Sequence, residues 1–132
     1  MELNGEFEPP LSLRVDLDDY ARKLLQVGEV IAAVKNDNSI IGTIGFYCND
    51  LENGCGYISY LGVARYMRSA GVGGALLDKC LEECRSIGMT LVTVRTRASN
   101  RAAMAIYRSR SFEAEAELSS ADRIKLTLTL NS

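Results

Sequence analysis

Three glycines within four positions, Gly71, Gly73 and Gly74, stand at the start of a segment with helical periodicity. The first N–H groups of a helix have no partner within the helix, and together they carry about half a positive elementary charge. Glycines leave those donors uncovered and permit a positive φ, and Arg68 adds a cation suited to phosphate. The stretch RSAGVGGALL therefore predicts a cradle for a phosphorylated ligand. The alternative is a turn that only lets a helix pack tightly on a strand.

Two familiar phosphate-binding patterns do not fit this stretch. A P-loop needs a lysine followed by serine or threonine after its last glycine, and no such lysine stands here. A dinucleotide fingerprint GxGxxG would need a glycine at position 76, which is Leu76. A phosphate would therefore bind here in a different structural context.

The chain has no histidine, which excludes histidine-dependent triads, histidine-ligated metals and the commonest general base. Its cysteines contain no CxxC pair, which argues against a zinc site. We expect no metal, and we expect buried, reduced thiols that pack as small apolar groups. The four cysteines are Cys48, Cys55, Cys80 and Cys84.

Composition limits the class of protein. The 132 residues suffice for one domain with its own core, and 47% are hydrophobic and 24% charged, as in ordinary globular proteins. A formal net charge of −2 gives no general attraction for nucleic acid or anionic lipid. The apolar runs are too short for a membrane span, and MELNGEFEPP lacks a secretory-signal pattern. We expect a single cytoplasmic domain over 1–132, with 1–10 as a tail or connection.

The elements that must position the glycine loop follow the order α-β-β-β-α-β-α-β-β. The first is a helix over VDLDDYARKLLQVG, with Asp16 as its N-cap and Gly28 after its last turn. There follow strands at 29–35, 40–48 and 55–63, a helix at 72–87, a strand at 90–96, a helix at 100–110, and strands at 112–118 and 122–130. The passage from strand 55–63 through a helix to strand 90–96 implies a right-handed parallel crossover. With hairpins before and after it, the fold class is α/β (or α+β), a mixed sheet flanked by helices.

Two segments carry a resemblance to a known family. YISYLGVARYMRSAGVGGALL resembles motif A of the GNAT-type N-acetyltransferases, in which a strand ending in valine leads to Arg/Gln-x-x-Gly-x-Gly/Ala, and the matching residues are Val63, Arg68, Gly71 and Gly73. SNRAAMAIYRSRSF resembles the family's segment Asn-x-x-Ala-x-x-x-Tyr-x-x-x-Gly-Phe, and the matching residues are Asn100, Ala103, Tyr107 and Phe112. Ser111 replaces the glycine of that pattern. The resemblance covers about 29–130, and PPLSLRVDLDDYARKL is similar to the start of some bacterial members.

The resemblance implies acetyl-coenzyme A as the acetyl donor and a mostly antiparallel sheet with a splayed parallel strand pair. The donor's pyrophosphate would rest on N–H groups of the glycine loop, and its pantetheine arm would enter between the strand ending at Val63 and the strand at 90–96. Asn100 begins a helix, so a plain N-cap is an equal alternative there. The family's first strand-helix unit is shortened or missing in this chain. The cofactor contacts implied are Leu61, Val63, Arg68, Ser69, Ala70, Gly71, Gly73, Gly74 and Asn100.

Tyr107 is the catalytic residue that the resemblance implies, because the family's tyrosine at this place lies close to the sulfur of coenzyme A. A phenol stays protonated at neutral pH and can donate its proton to a departing thiolate. The alternative is a tyrosine that only packs in the core. Many relatives carry an acidic general base where this chain has Tyr57, and strand 56–63 contains no carboxylate. The general base is therefore not identified.

The function that the resemblance implies is direct transfer of an acetyl group to a primary amine of a small molecule, an amino sugar or a peptide. The alternative is a non-catalytic module that binds or senses acyl-coenzyme A, which the missing carboxylate and the short N-terminal part favour. No nucleic acid and no membrane is expected as a partner, and a homodimer stays open. A cationic acceptor would be favoured only if acidic and polar residues of the turn at 49–54 lie near the pocket.

Overall fold

The computed structural model describes residues 23–27, 29–35, 37–65, 71–115 and 122–130, the first of these ranges by its backbone. Within these ranges lie seven strands and two helices. The strands are β1 (Lys23–Val27), β2 (Val30–Val34), β3 (Ile40–Asp50), β4 (Cys55–Val63), β5 (Leu91–Arg97), β6 (Glu113–Ala114) and β7 (Arg123–Thr129), and the helices are α1 (Val72–Ile87) and α2 (Arg101–Ser109). Neither of these helices is long and apolar enough to cross a membrane.

The strands form one sheet in the order β1-β2-β3-β4-β5-β7-β6. The pairs β1–β2, β2–β3, β5–β7 and β6–β7 are antiparallel. Strand β4 pairs with β5 in parallel, through Cys55–Ile58 and Leu91–Val94, and the chain between them forms α1, as a parallel connection requires. The predicted mixed, mostly antiparallel sheet is confirmed.

The first predicted helix is wrong over the part of it that the structure describes. Lys23–Val27 is strand β1, and all five of its residues pair with Val30–Val34. Two residues separate these strands, so no helix lies between β1 and β2. Cross-strand pairing outweighs the weak helical preference of so short a segment. The rest of the predicted helix, with Asp16, and the predicted tail at 1–10 lie outside the described residues.

The other predicted elements are present, and apart from the short strand β6 their bounds are shifted by at most two residues. The bounds of β4 and α1 are as predicted, because each has a clear periodicity and Gly88 ends the helix. Strand β6 is shorter than the predicted 112–118 and comprises Glu113–Ala114, with 116–118 outside the described residues.

The described residues divide into two compact units, the first within Met1–Gly45 and Tyr60–Cys80, the second within Phe46–Ser59 and Leu81–Ser132. In the first unit, the start of α1 packs closely on β3 at Gly42. A Cβ on Gly42 would stand 2.8 Å from Val72 and 2.9 Å from Leu76, closer than real contacts, so a side chain there would push the helix away. The absence of a Cβ thus sets how closely the start of α1 approaches the sheet. The buried side chains of this unit include Ile31, Ile41, Ile44, Leu76 and Leu77.

The second unit has its own core, built from β5, β7, the later turns of α1, and α2. All four cysteines of the chain are buried thiols without a disulfide, as predicted. Two of them meet in this unit, where the Cys48 and Cys84 sulfur atoms are 3.2 Å apart. The buried side chains of this unit include Phe46, Leu81, Val92, Val94, Tyr107, Phe112 and Leu126.

Candidate functional site

The turn before α1 has the features of an anion cradle. Gly71 has a φ of +83°, and among the described residues no heavy atom beyond its chain neighbours lies within 4 Å of the place where its Cβ would stand. The Gly71 carbonyl accepts the first helical hydrogen bond, from the Ala75 N–H at 3.1 Å. The N–H groups of Val72, Gly73 and Gly74 follow it without carbonyl partners inside the helix.

No carboxylate of the first turn competes for those donors, because that turn carries no acidic side chain. Gly73 and Gly74 are buried in the first turn of α1, and Gly71 is exposed just before it. The structure therefore places these three predicted residues together at one helix start. Arg68, Ser69 and Ala70, predicted for the same cradle, lie outside the described residues.

The end of β4 carries the two predicted main-chain contacts. Leu61 and Val63 are half-buried and flank the buried Gly62. The parallel ladder of β4 with β5 ends at Ile58 opposite Val94, although both strands continue. The parallel strand pair of the predicted fold is thus present, and its splaying stays a prediction. Beyond β4, the Ala64 N–H donates to the Ile41 carbonyl at 2.8 Å and keeps the end of β4 on β3.

Asn100 is the N-cap of α2. Its side-chain oxygen accepts a hydrogen bond from the Ala103 N–H at 3.2 Å, which satisfies one of the unpaired donors of the first turn. The capping role that the sequence offered as an alternative is thus confirmed. A contact with a cofactor stays a prediction.

Asp122 holds the turn that leads into α2. Its carboxylate accepts from the Ser99 hydroxyl at 2.6 Å and from the Ser99 N–H at 3.1 Å, and Arg97 lies 3.7 Å away. Its carbonyl accepts from the Ala98 N–H at 2.7 Å. This role could not be predicted from the sequence, because Ser99 and Asp122 are 23 positions apart and no local sequence motif indicates that either of them pairs with the other.

These hydrogen bonds make the contribution of Asp122 depend on pH. The Ser99 hydroxyl is the main cause that lowers the pKa of Asp122, and the Ser99 N–H and Arg97 add to it. A carboxylate whose pKa is lower in the folded state stabilises above its unfolded pKa of about 3.9, and the effect is lost as the pH falls through the folded value. We expect Asp122→Asn to lower Tm at pH 7 and the difference from wild type to shrink below about pH 4. A difference that stays constant down to pH 2 in thermal scans would contradict this.

Tyr107 lies in the core of the second unit. Its side chain is 2% exposed, and its ring packs edge-on against Phe112 with the centroids 5.3 Å apart. The Phe112 N–H donates to the Tyr107 carbonyl at 3.1 Å, and the Ser111 N–H donates to the Arg108 carbonyl at 3.0 Å. This is a Schellman motif, in which the residue after the turn commonly contacts the last turn of the helix. The spacing from Tyr107 to Phe112 therefore has a structural reason whatever the chemistry.

Ser111 occupies the left-handed position of that motif, with a φ of +72°. Helix α1 ends in the same way, since the Gly88 N–H donates to Arg85 and the Met89 N–H to Cys84, and Gly88 has a φ of +104°. Positive φ costs an L-residue roughly 1–2 kcal/mol and costs glycine almost nothing. Ser111 thus occupies a position at which the family that this segment resembles has glycine. The equivalent position at the end of α1 is Gly88.

We expect Ser111→Gly to stabilise the protein by about 1 kcal/mol, or roughly 3–5 °C in Tm. The reverse change at the other helix, Gly88→Ser, should lower Tm by a similar amount, because no heavy atom beyond its neighbours lies within 4 Å of its Cβ position. Thermal scans of both variants test the expectation. A neutral Ser111→Gly beside a destabilising Gly88→Ser would show that the Ser111 side chain makes compensating contacts.

Tyr57, at the place of the relatives' acidic base, is 40% exposed on β4. The Cys55 thiol raises its pKa through a hydrogen bond and its charge, and a phenol with a raised pKa is a weaker source of base at neutral pH. In the turn at 50–54, Asp50 accepts from the Asn53 N–H at 3.2 Å. That turn lies at the amino-terminal end of β4, whereas the glycine loop follows its carboxyl end. The turn residues thus give no support for a cationic acceptor.

Comparison with solved structures shows the same fold. The NatC complex bound to Gag peptide and CoA matches with a TM-score of 0.68 and 24% identity, over 77% of this chain and 71% of that one. Ard1 from Thermoplasma volcanium matches with a TM-score of 0.69 and 22% identity, over 79% and 72%. The yncA protein from Salmonella typhimurium, solved with its cofactor acetyl-CoA, matches with a TM-score of 0.66 and 18% identity, over 78% and 65%.

No curated protein matches the sequence significantly. The profile of the acetyltransferase (GNAT) family, in contrast, matches residues 2–112, which include the glycine loop, Asn100, Tyr107 and Phe112. The sheet order, the early end of the β4–β5 ladder and the open start of α1 agree with that match. The chain belongs to the acetyltransferase (GNAT) family.

Proposed function

We propose that the protein is an N-acetyltransferase that moves the acetyl group of acetyl-coenzyme A directly to a primary amine of a small molecule or peptide. The observation that carries the proposal is the start of α1, which offers N–H groups with no carboxylate in its first turn and with open space beside Gly71. Helix starts of this kind bind phosphate groups. Membership of the acetyltransferase family supplies the class of reaction.

The residues present fit coenzyme A in two respects. A diphosphate needs several donors within reach, and the consecutive N–H groups of Val72, Gly73 and Gly74 supply them without a Cβ at two of the three positions. A pantetheine arm needs main-chain partners, and β4 runs on past the last residue that pairs with β5. Bound acetyl-coenzyme A would supply the activated acetyl group as its thioester. Leu61, Val63 and the glycine loop would hold it, and Arg68, Ser69, Ala70 and Asn100 are proposed further contacts.

The proton for the departing sulfur comes, in this proposal, from Tyr107. A phenol is protonated at neutral pH, and the thiol of coenzyme A is the stronger acid of the two groups, with a pKa of ordinary thiol range. The Schellman motif and the edge-on contact with Phe112 fix the ring. A fixed donor loses little entropy when the proton moves, which favours catalysis. No side chain is assigned as general base.

We propose peptides as the first acceptor class to test, because a structural neighbour of this chain was solved with one. The NatC complex was solved with a peptide and CoA, and that structure covers much of the present chain. Small amines and amino sugars remain the other acceptor classes to test. The acceptor must lose a proton before it attacks, and with Tyr57 in place of a carboxylate we propose that water takes that proton.

The test is a turnover screen in which purified protein, acetyl-coenzyme A and one amine class at a time are followed by release of free thiol. We expect release with at least one class among peptides, amino acids, amino sugars and simple amines. Calorimetry with coenzyme A is the companion measurement. Absence of both binding and turnover would overturn the proposal.

A second candidate is a module that binds acyl-coenzyme A without turnover, for example as a sensor. The observation that favours it is Tyr57 on β4, at a place where the family resemblance leads one to expect a carboxylate, because a phenol is protonated at neutral pH and cannot accept the proton of the amine. Tight binding of acetyl-coenzyme A together with no thiol release from any amine class would select this candidate over the enzyme.

A further inference from the structure

Two buried thiols of the second unit lie almost at bonding distance. The sulfur of Cys48 on β3 is 3.2 Å from the sulfur of Cys84 on α1. A disulfide has its sulfur atoms about 2.0 Å apart, so an approach of about 1.2 Å would suffice for a bond. We propose that Cys48 and Cys84 form a reversible oxidation site, which takes a hydroperoxide as its oxidant and closes to an intramolecular disulfide between β3 and α1.

Gly56 on β4 gives the two sulfurs room to approach. A Cβ on Gly56 would stand 3.3 Å from the Cys84 sulfur and 3.6 Å from the Cys48 sulfur, which is tight against the first and in contact with the second. Because Gly56 has no side chain, β4 contributes only its backbone beside the pair. Its neighbour Cys55 has other contacts, with the Thr93 hydroxyl at 3.7 Å and the Gly56 carbonyl at 3.6 Å.

The burial of the two thiols assigns their order of reaction. Cys48 is 7% exposed and Cys84 is 0% exposed, so the oxidant reaches Cys48 first. The Cys48 sulfur attacks the hydroperoxide, an S–O bond forms, the O–O bond breaks and an alcohol or water leaves. The Cys84 sulfur then attacks the sulfenic sulfur of Cys48, the S–S bond forms, the S–O bond breaks, and the Cys84 proton leaves with the hydroxyl group as water. Two thiols supply the two electrons that reduce one hydroperoxide.

The disulfide would close a loop that contains β4, the glycine loop and most of α1. A loop of this length loses considerable entropy in the unfolded chain when it is closed, so we expect oxidation to raise Tm by roughly 5–10 °C. Burial makes the thiols slow to react, so we expect formation over minutes to hours. A dithiol reductant should reverse both the bond and the shift in Tm.

The experiment is a thiol count on the full chain. The protein is incubated with hydrogen peroxide, unfolded, alkylated with iodoacetamide and weighed by mass spectrometry. We expect two alkylated cysteines in place of the four of the untreated chain, and four again after dithiothreitol. A glutamate-specific protease cuts after Glu52, between Cys48 and Cys55, and after Glu82 or Glu83, between Cys80 and Cys84, so the linked peptides identify the pair.

Four single variants complete the test. Cys48→Ala and Cys84→Ala should abolish the disulfide, whereas the matched controls Cys55→Ala and Cys80→Ala should form it as wild type does. Four alkylated thiols after overnight peroxide, a disulfide that maps to Cys55 or Cys80, or a Cys48 that gains two oxygen atoms without a bond would each overturn the proposal. The count uses no coenzyme A, so it stands apart from the test of acetyl transfer.

Discussion

Replacing Tyr107 by phenylalanine should lower kcat for acetyl transfer about 100-fold at neutral pH, which is the usual size of general-acid catalysis. The change removes one oxygen atom from a ring that is 2% exposed and packed against Phe112, and it keeps the ring. The KM for acetyl-coenzyme A should change little, because the lost interaction acts on the departing sulfur rather than on binding. Steady-state kinetics of the purified variant measure both quantities.

The pH dependence separates a proton donor from a packing residue. A thiolate needs protonation less as the pH approaches its own pKa of about 8.5, so the deficit of Tyr107→Phe should shrink between pH 7 and pH 9. Tyr47→Phe is the matched control, since Tyr47 is 48% exposed on β3 and its variant should keep the wild-type kcat. A Tyr107→Phe variant with wild-type kcat at every pH would leave Tyr107 as a core residue.

Replacing Gly71 by valine should weaken coenzyme A binding about 100-fold. The side chain would occupy the space beside the first N–H groups of α1 and remove two hydrogen bonds to the charged diphosphate; at about 1.5 kcal/mol each, this loss corresponds to about 100-fold in Kd. Valine at a φ of +83° is also strained, so the variant loses stability as well as affinity. Calorimetry with coenzyme A measures the affinity.

Gly88 supplies the control for that strain. It has a positive φ and open space as Gly71 does, but it ends α1 instead of starting it. Gly88→Val should therefore lower Tm by a comparable amount and leave the affinity for coenzyme A unchanged. Gly71→Asn, whose side chain tolerates a left-handed backbone, is the variant to use where valine prevents folding. Equal losses of affinity at both ends of α1 would show that the glycine loop only supports the fold.

Elements with strong local signals were predictable from the sequence. The helical periodicity of α1 and the glycine that follows it predicted the bounds of that helix, and Asn100 indicated the start of α2. Strand β1 was not predictable in this way, because the local signals of KLLQV favour a helix: Lys, Leu and Gln are good helix formers, and Gly28 follows as a helix end. Its conformation depends on pairing with Val30–Val34, which is a tertiary effect.

In the candidate site, too, features with a local sequence signal were predictable, and contacts between distant residues were not. The position of Gly71, Gly73 and Gly74 at a helix start could be predicted, because glycines there act through their own backbone, and their binding of phosphate stays a prediction. The Asp122 contact with Ser99 and the sulfur pair of Cys48 and Cys84 join residues 23 and 36 positions apart, and nothing in the local sequence marks them. The burial of Tyr107 likewise depends on neighbours from other elements.

The short parallel ladder between β4 and β5 has a consequence for how the chain folds. It joins only Cys55–Ile58 to Leu91–Val94, so every pair in it must close a long loop before its few hydrogen bonds form. The hairpin of β1 and β2 closes over two residues and bears almost none of that entropic cost. We therefore expect the hairpins to form first and the parallel ladder to form more slowly, because its pairing must close the loop that contains α1. A chain emerging from the ribosome has its β1–β3 segment available for pairing well before β5 exists.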